Sequence, residues 1–274
     1  MIDIDKMIDS FSSSIEPPEN EYLGEDGLLH CAVCHKKTET IIKHPFNDTK
    51  RKVRCKCGCK TEKDLFEERQ LAEELDRKRR ICFAETNMAS WNFQNDDRRN
   101  AKLSDAMKAY VENFAAMRKD GKGLLLHGTV GTGKTFYAAC IANALIDYGY
   151  TVLMTNFARI TNQLQATFDG KQEFVDSLNR YSLLIIDDLG AERKSEWMQE
   201  QVFNIIDARY RSGNPFIITT NLTTDEIKKP QDVGYSRIYD RILERCHPIE
   251  VSGASRRRQS VRESYQQMNE LLGL

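Results

Sequence analysis

The fold class of this 274-residue chain is decided by the stretch Gly128-Thr-Val-Gly131-Thr-Gly133-Lys134-Thr135. The stretch has the spacing G-x-x-x-x-G-K-[ST], it follows the apolar run Leu124–Leu126, and a helical pattern follows it. Its glycines let the backbone curl so that N–H groups point at phosphate oxygens, and the helix that follows adds the positive end of its dipole. The pattern therefore predicts a P-loop that binds ATP.

We expect the whole loop to contact the nucleotide, with Lys134 at the β- and γ-phosphates and the Thr135 hydroxyl on Mg²⁺. The predicted nucleotide-binding residues are Gly128, Thr129, Val130, Gly131, Thr132, Gly133, Lys134 and Thr135.

Polar residues end two apolar segments further along the chain. The segment Ser182-Leu-Leu-Ile-Ile-Asp187-Asp188 predicts a buried strand, and in α/β sheets ligands lie at strand ends. We expect Asp187 to hold Mg²⁺ and Asp188 to polarise the attacking water. The segment Phe216-Ile-Ile-Thr-Thr-Asn221 predicts a second strand, and Asn221 is placed to bond the γ-phosphate or the water. Helix capping and turn chemistry are the alternatives for these polar residues.

Strand and helix patterns alternate from about residue 85 onward. Strands are predicted at 124–127, 151–155, 183–186 and 216–219, with helices at 103–117, 134–148, 157–168 and 196–211. Repeated βα units predict a parallel sheet with helices on both faces.

These segments, in this order, resemble the AAA+ ATPases, and within them the DnaC/IstB-type branch of helicase loaders and transposition helper ATPases. The resemblance covers roughly residues 85–260. It rests on Leu184-Ile-Ile-Asp-Asp-Leu-Gly-Ala-Glu192, Arg209-Tyr210, Pro215–Leu222, Ser236-Arg-Ile-Tyr-Asp-Arg241 and Gly253-Ala-Ser-Arg-Arg257.

The resemblance implies roles for two arginines in the C-terminal part. Arg241 is similar to the finger that reaches the ATP of a neighbouring subunit, with Arg237 as the rival, and Arg257 is similar to the second sensor, which contacts ATP in cis. A solvated basic helix face is the alternative. Many AAA+ proteins place Glu where this chain has Asp188. We expect the shorter side chain of Asp188 to slow hydrolysis, which suits a switch more than a motor. Since 53 residues follow Asn221, we expect a reduced C-terminal lid.

The resemblance also implies a contact with single-stranded DNA through the helix Phe157–Phe168. Phe157 and Arg159 at its start would supply aromatic stacking and positive charge. Packing of Phe157 into the core is the alternative.

Five of the eight cysteines fall within residues 28–60, as Cys31-x₂-Cys34 and Cys55-x-Cys57-x-Cys59. The spacing is typical of zinc ribbons, in which four thiolates hold a structural Zn²⁺. We expect the ligands Cys31, Cys34, Cys57 and Cys59, the last two because similar proteins keep the final Cys-x-Cys; Cys55 is the rival. His35 and His44 are possible substitutes.

Basic residues surround this cysteine cluster and could contact DNA or an acidic protein surface. They are Lys36, Lys37, Lys43, Lys50, Arg51, Lys52, Arg54, Lys56 and Lys60. Helicase loaders that resemble this chain use an N-terminal domain to grip the helicase, which favours protein contact. The predicted organisation is a flexible tail at 1–27, a zinc-binding domain at 28–60, a charged helical linker at 61–84 and an AAA+ ATPase domain at 85–274.

Bulk composition excludes several classes of protein. The net charge is −1 and apolar residues make up 40%, so nucleic-acid binding would need a local patch. Apolar runs such as Leu183–Ile186 are too short to span a bilayer, and the N-terminus lacks the features of a secretory signal. We expect a cytoplasmic protein with no membrane contact and with reduced cysteines.

The leading hypothesis is an ATP-hydrolysing loader that places a replicative ring helicase on single-stranded DNA and associates with itself through a shared ATP site. The zinc-binding unit favours a loader over a transposition helper, because such helpers usually begin with a helical domain that lacks these cysteines. A third hypothesis is a non-hydrolysing, ATP-dependent zinc-ribbon adaptor. A small-molecule kinase is disfavoured, because the acid pair and Asn221 suit water activation.

Overall fold

The computed structural model describes residues 20–43, 50–55, 57–59, 62–84, 86–166, 169–192, 195–230 and 232–273. Most of the predicted tail, together with His44, Lys56, Lys60 and Phe168, lies outside them. The chain forms two units, one up to Leu71 and one from Ala72 onward. The division falls inside helix α1, Glu62–Phe83.

The first unit contains two small antiparallel sheets. Strand β1, Glu21–Leu23, pairs with β2, Leu29–Cys31, and β3, Glu39–Lys43, pairs with β4, Lys50–Arg54. Leu28 and Cys31 are buried, whereas Ile41, Ile42 and Val53 are exposed. So small a core needs a further source of stability, such as a structural metal.

The second unit is built on a five-stranded parallel sheet. Its strands are β5, Gly123–His127; β6, Val152–Asn156; β7, Leu183–Leu189; β8, Phe216–Thr220; and β9, Cys246–Glu250. They lie in the order β6-β7-β8-β5-β9. Because the strands are parallel, their carboxyl ends meet at one edge, where the P-loop and the two acids were predicted to lie.

Helices cover both faces of this sheet, as the alternating pattern predicted. Before and after β5 they are α2, Ala101–Glu112; α3, Phe114–Lys119; and α4, Lys134–Asp147. The remaining helices are α5, Phe157–Ala166; α6, Lys171–Leu178; α7, Glu196–Ser212; α8, Thr224–Lys228; α9, Val233–Arg245; and α10, Arg256–Leu272. After β9, the described residues include α10, and the reduced C-terminal lid stays a prediction.

The core consists of two layers, one on each face of the sheet. Leu183 and Ile185 of β7 pack into the layer with α2 and α4, whereas Leu184 and Ile186 pack into the layer with α5, α7 and α9. Alternate strand residues point to opposite faces, so a strand buried on both faces must be apolar throughout. This explains the four consecutive apolar residues before Asp187.

Arg209, one of the residues that carry the family resemblance, has a structural role. Its side chain is 1% exposed, and its guanidinium donates to the backbone carbonyls of Leu178, Tyr181 and Pro215. Burial lowers the pKa of this guanidinium to about 10. Arg209 therefore joins the loops at the amino ends of β7 and β8, opposite to the edge that carries the predicted site.

Candidate nucleotide and metal sites

The stretch Gly128–Thr135 curls between β5 and the first turn of α4, as its spacing predicted. Gly128, Gly131 and Gly133 have φ of 140°, 84° and 109°, in the region that favours glycine. A Cβ on Gly128 would lie 2.5 Å from the carbonyl oxygen of Val251. The first turn of α4 leaves its N–H groups unpaired within the helix, so the loop has the construction of an anion site.

Lys134 lies inside this loop rather than in solvent. Lys134 is 5% exposed, and its Nζ donates to the carbonyl oxygens of Gly128 and Thr129, at 2.8 Å each. A buried ammonium held at the mouth of the loop is placed to take phosphate oxygens as partners.

The structure brings the P-loop and the acid of β7 into direct contact. The Thr135 hydroxyl donates to Asp187 Oδ1 and Oδ2, at 3.0 and 3.2 Å. Burial raises the pKa of Asp187, and hydrogen bonds from Thr219 and Thr135 act in the opposite direction. A hydroxyl and a carboxylate so close together are the oxygen ligands that Mg²⁺ prefers, so these residues fit the predicted metal.

Asp188 and Asn221 lie at the same edge of the sheet. Both are exposed, and Asn221 directly follows β8, the strand between β7 and β5. Asp188 has a φ of 58°, which is uncommon for a residue other than glycine and costs on the order of 1 kcal/mol or more. Asp188 is thus a strained, exposed acid next to the half-buried Asp187, and their division of roles stays a prediction.

The two arginines of α9 differ in their surroundings. Arg241 Nε donates to Asp207 of α7 at 2.7 Å, and its guanidinium lies 4.6 Å from the ring centroid of Phe203. Arg237 is exposed. The predicted finger acts on a second subunit, so its assignment to Arg241 or Arg237 stays a prediction.

Arg256, which was not predicted as a site residue, contacts the P-loop within the same chain. Its backbone N–H donates to the Gly131 carbonyl at 2.9 Å. Its guanidinium pairs with Asp97 Oδ1 at 2.8 Å and lies over the rings of Phe136 and Tyr137. The side chain of Arg257, the predicted sensor, lies outside the described part of the structure. Only the run of three arginines at 256–258 could have signalled this position.

The predicted role of Phe157 in stacking on DNA bases is wrong. Phe157 is 2% exposed and packs with Ile160 and Leu164 in the core layer on that face of the sheet. Phe157 therefore belongs to the buried apolar stripe of α5, which was the alternative for this residue. Arg159 is exposed and retains its predicted capacity to contact phosphate.

Four cysteines of the first unit converge as the predicted zinc ligands should. The sulfur atoms of Cys31, Cys34, Cys57 and Cys59 all lie within 4.8 Å of one another. Sulfur atoms bound tetrahedrally to zinc are about 3.8 Å apart, from a bond of about 2.3 Å. Among the described residues, no other group of three or more metal-ligating side chains is this close. The donor set fits Zn²⁺.

The neighbours of this cluster distinguish its members from the rival ligands. The backbone N–H groups of Cys34 and Val33 lower the pKa of the Cys31 thiol to about 7, whereas the neighbouring Cys34 and burial raise the pKa of Cys59 to about 12. Cys55 donates instead to the carbonyl of Lys37, with its sulfur 3.4 Å from that oxygen. His35 Nδ1 lies 3.0 Å from the hydroxyl of Tyr22.

A protein-family model described as "IstB-like ATP binding protein" matches residues 54–264. The replicative helicase loader DnaI of Bacillus subtilis is 28% identical over 167 residues, which cover 57% of this chain and 52% of that protein. The replicative helicase loader DnaC of Escherichia coli is 30% identical over 128 residues, covering 44% and 50% respectively. The chain thus spans about half the length of the curated relatives it matches.

Solved structures agree with the match to the IstB-like family model and to the helicase loaders. A crystal structure of DnaI is 26% identical, covers 66% of this chain and 99% of that chain, and gives a TM-score of 0.54. A crystal structure of the DnaC helicase loader, 24% identical with a TM-score of 0.50, supports the fold. The resemblance and the P-loop fold inferred from the sequence are confirmed. In the part of the chain that is described, no helix combines the length and apolar character that a membrane span requires.

Proposed function

Because this chain belongs to the IstB-like ATP binding proteins, we propose that it is an ATP-hydrolysing switch that loads a replicative ring helicase onto single-stranded DNA. The observation that carries the proposal is the contact between the Thr135 hydroxyl and the Asp187 carboxylate, which joins the phosphate loop to an acid suited to Mg²⁺. The relatives named as replicative helicase loaders support the choice of a loader.

In this proposal each polar residue of the edge has a separate task. Lys134 and the loop amides bind the phosphates, and Thr135 with Asp187 would hold Mg²⁺, which would neutralise charge on the β- and γ-phosphates. Asp188 orients and polarises the attacking water, and Asn221 bonds that water or the γ-phosphate. Turnover of ATP would therefore depend on magnesium.

The proposal assigns a shared ATP site to two subunits. Arg241 or Arg237 of one chain supplies positive charge to the γ-phosphate bound by the next, because Lys134 and the metal neutralise only part of it. Within one chain, Arg257 or Arg256 supplies the second sensor. The packing of the Arg256 guanidinium over Phe136 and Tyr137 of α4 favours Arg256, whereas the family pattern favours Arg257.

The first unit is assigned the contact with the helicase. Residues 28–60, together with β1 of the predicted tail, which pairs with β2, would form a zinc-stabilised domain, with 61–84 as a charged linker and 85–274 as the ATPase domain. Lys36, Lys43 and Arg51 are exposed and offer positive charge to an acidic protein surface.

A pull-down of a purified hexameric replicative helicase from the same host tests this function. The full-length protein should retain the helicase differently with ATP and with ADP, and Lys134→Ala should lose that difference. Retention of a transposase instead would favour a transposition helper. An Asp188→Asn variant with unchanged ATP turnover and unchanged ATP-dependent binding would favour the non-hydrolysing adaptor.

A further inference from the structure

Thr219 of β8 contacts both acids of β7 through one hydroxyl group. The residue is 0% exposed. Its Oγ1 donates to Asp187 Oδ1 at 2.5 Å and accepts the backbone N–H of Asp188 at 2.9 Å. None of the roles proposed above uses this side chain.

The position of Thr219 follows from an irregularity in the sheet. Ile186 pairs with Ile218, and Leu189 pairs with Thr220, so two residues of β7 face the single residue Thr219. The extra residue leaves the ladder incomplete at this point, as in a β-bulge. The Thr219 hydroxyl takes the Asp188 N–H that the ladder leaves unpaired, and it stabilises the left-handed backbone of Asp188.

We propose that Thr219 is a positioning residue for ATP hydrolysis, which aligns Asp187 toward the metal and Asp188 toward the attacking water. The inference rests on the proposed function. Thr135, the other hydroxyl on Asp187, is itself a predicted metal ligand, so Thr219 is the neighbour free to fix that carboxylate while the metal is bound. Groups that orient metal ligands in this way typically control metal affinity by about 10- to 100-fold.

Thr220 offers a matched control on the same strand. It is also 0% exposed, and its hydroxyl is bonded on both sides, donating to the Leu189 carbonyl at 2.6 Å and accepting the Leu222 N–H at 3.1 Å. Replacing either threonine by valine removes one buried hydroxyl and leaves a side chain of nearly the same size. Only the Thr219 hydroxyl, of these two, contacts a carboxylate.

The experiment compares Thr219→Val, Thr219→Ser and Thr220→Val in the full-length protein. For Thr219→Val we expect the Mg²⁺ concentration at half-maximal ATP turnover to rise by about 10-fold or more, with a lower kcat. Mn²⁺ binding in the presence of a non-hydrolysable ATP analogue, measured by electron paramagnetic resonance, should weaken to the same extent. Nucleotide affinity without metal should stay unchanged. Thr219→Ser and Thr220→Val should bind Mn²⁺ like the parent protein.

Wild-type Mn²⁺ affinity in Thr219→Val, or an equal loss in Thr220→Val, would overturn the inference. If Thr219→Val does not fold, Thr219→Cys against Thr219→Ser makes the same comparison, because a thiol is the weaker donor and acceptor at similar size. Failure of the parent protein itself to bind ATP would instead overturn the proposed function, so the two failures are distinguishable.

Discussion

At the residue scale, the phosphate loop depends on one buried cation. Lys134 is 5% exposed and bonds two carbonyl oxygens of its own loop. Because charge-assisted hydrogen bonds contribute about 1.5–3 kcal/mol each, we expect Lys134→Ala to weaken ATP binding by about 10- to 100-fold or more. Isothermal titration calorimetry with ATP measures the loss.

Lys119 gives the control for this prediction. It lies exposed at the end of α3, so Lys119→Ala removes the same charge away from the loop and should leave ATP affinity unchanged. ATP affinity that survives Lys134→Ala would contradict the assignment of the phosphate site.

Arg256 and Arg257 are neighbouring candidates for the residue that senses ATP within its own chain. The Arg256 guanidinium lies over Phe136 and Tyr137, next to the P-loop, and its backbone bonds Gly131. We therefore expect Arg256→Ala to lower ATP affinity by several-fold and by more than Arg257→Ala does, in the same calorimetric titration. A larger loss with Arg257→Ala would return the sensor to the residue that the family pattern indicates.

Individual site residues were predictable where spacing alone fixes the geometry. The P-loop and the Asp187 carboxylate follow from short motifs whose backbone conformation leaves few alternatives. Spacing also indicated a cysteine cluster, but the choice of Cys57 and Cys59 over Cys55 came from the family resemblance. Arg256 and Thr219 were not predictable, because their contacts depend on how distant segments pack. The stacking role of Phe157 was carried over from the family resemblance, and it was wrong because the apolar stripe of α5 faces the core in this chain.

At the element scale, we expect the first unit to depend on a zinc ion held by its four clustered cysteines. We expect the purified full-length protein to contain about one zinc per chain by metal analysis. Removal of that zinc with a chelator should unfold β1–β4, because few apolar residues of the described first unit are buried. Limited proteolysis measures this unfolding, as cleavage within residues 20–59.

The run Cys55-x-Cys57-x-Cys59 supplies the matched variants. Cys57→Ser should lose zinc, whereas Cys55→Ser should keep it, because Cys55 donates to the Lys37 carbonyl and lies outside the four-cysteine cluster. Zinc loss in Cys55→Ser and retention in Cys57→Ser would reverse the ligand assignment.

Element boundaries were predictable only where apolar periodicity is strong. The strands at 124–127 and 216–219 agree with β5 and β8 to within one residue. The predicted helix 103–117 is wrong as one element, since it breaks at Asn113, whose side chain donates to the Ala109 carbonyl and competes with the helical bond. Strand β9 was missed because Cys246-His-Pro-Ile-Glu250 lacks a strand pattern and pairs only with β5.

At the scale of the whole molecule, the parallel sheet was predictable and its strand order was not. Alternating βα units imply parallel strands, but the position of β8 between β7 and β5 is set by packing between residues far apart in the chain. That order brings Asp187, Thr219 and Thr135 together across three strands and the helix after β5. The site is thus a consequence of topology, although each of its motifs is local.

The last prediction concerns a second copy of the chain. Arg241→Ala should lower ATP turnover while sparing ATP binding, because a finger supplies charge at the transition state in a neighbouring site. Arg241 also pairs with the half-buried Asp207, which pairs with Arg211 as well, so a melting curve is needed beside the kinetics. Arg237→Ala, on the exposed side of the same helix, is the parallel variant.

Mixing the variants separates a finger that acts between subunits from one that acts within a chain. The partner for mixing is Asp188→Asn, since asparagine tolerates the left-handed φ of 58° better than alanine does. Each variant alone should be nearly inactive. A mixture with Arg241→Ala should regain turnover, because some interfaces then combine an intact Asp188 with an intact arginine. Regained turnover with Arg237→Ala and not with Arg241→Ala would move the finger to Arg237. Mixtures as inactive as the separate variants would show that each site is completed within one chain.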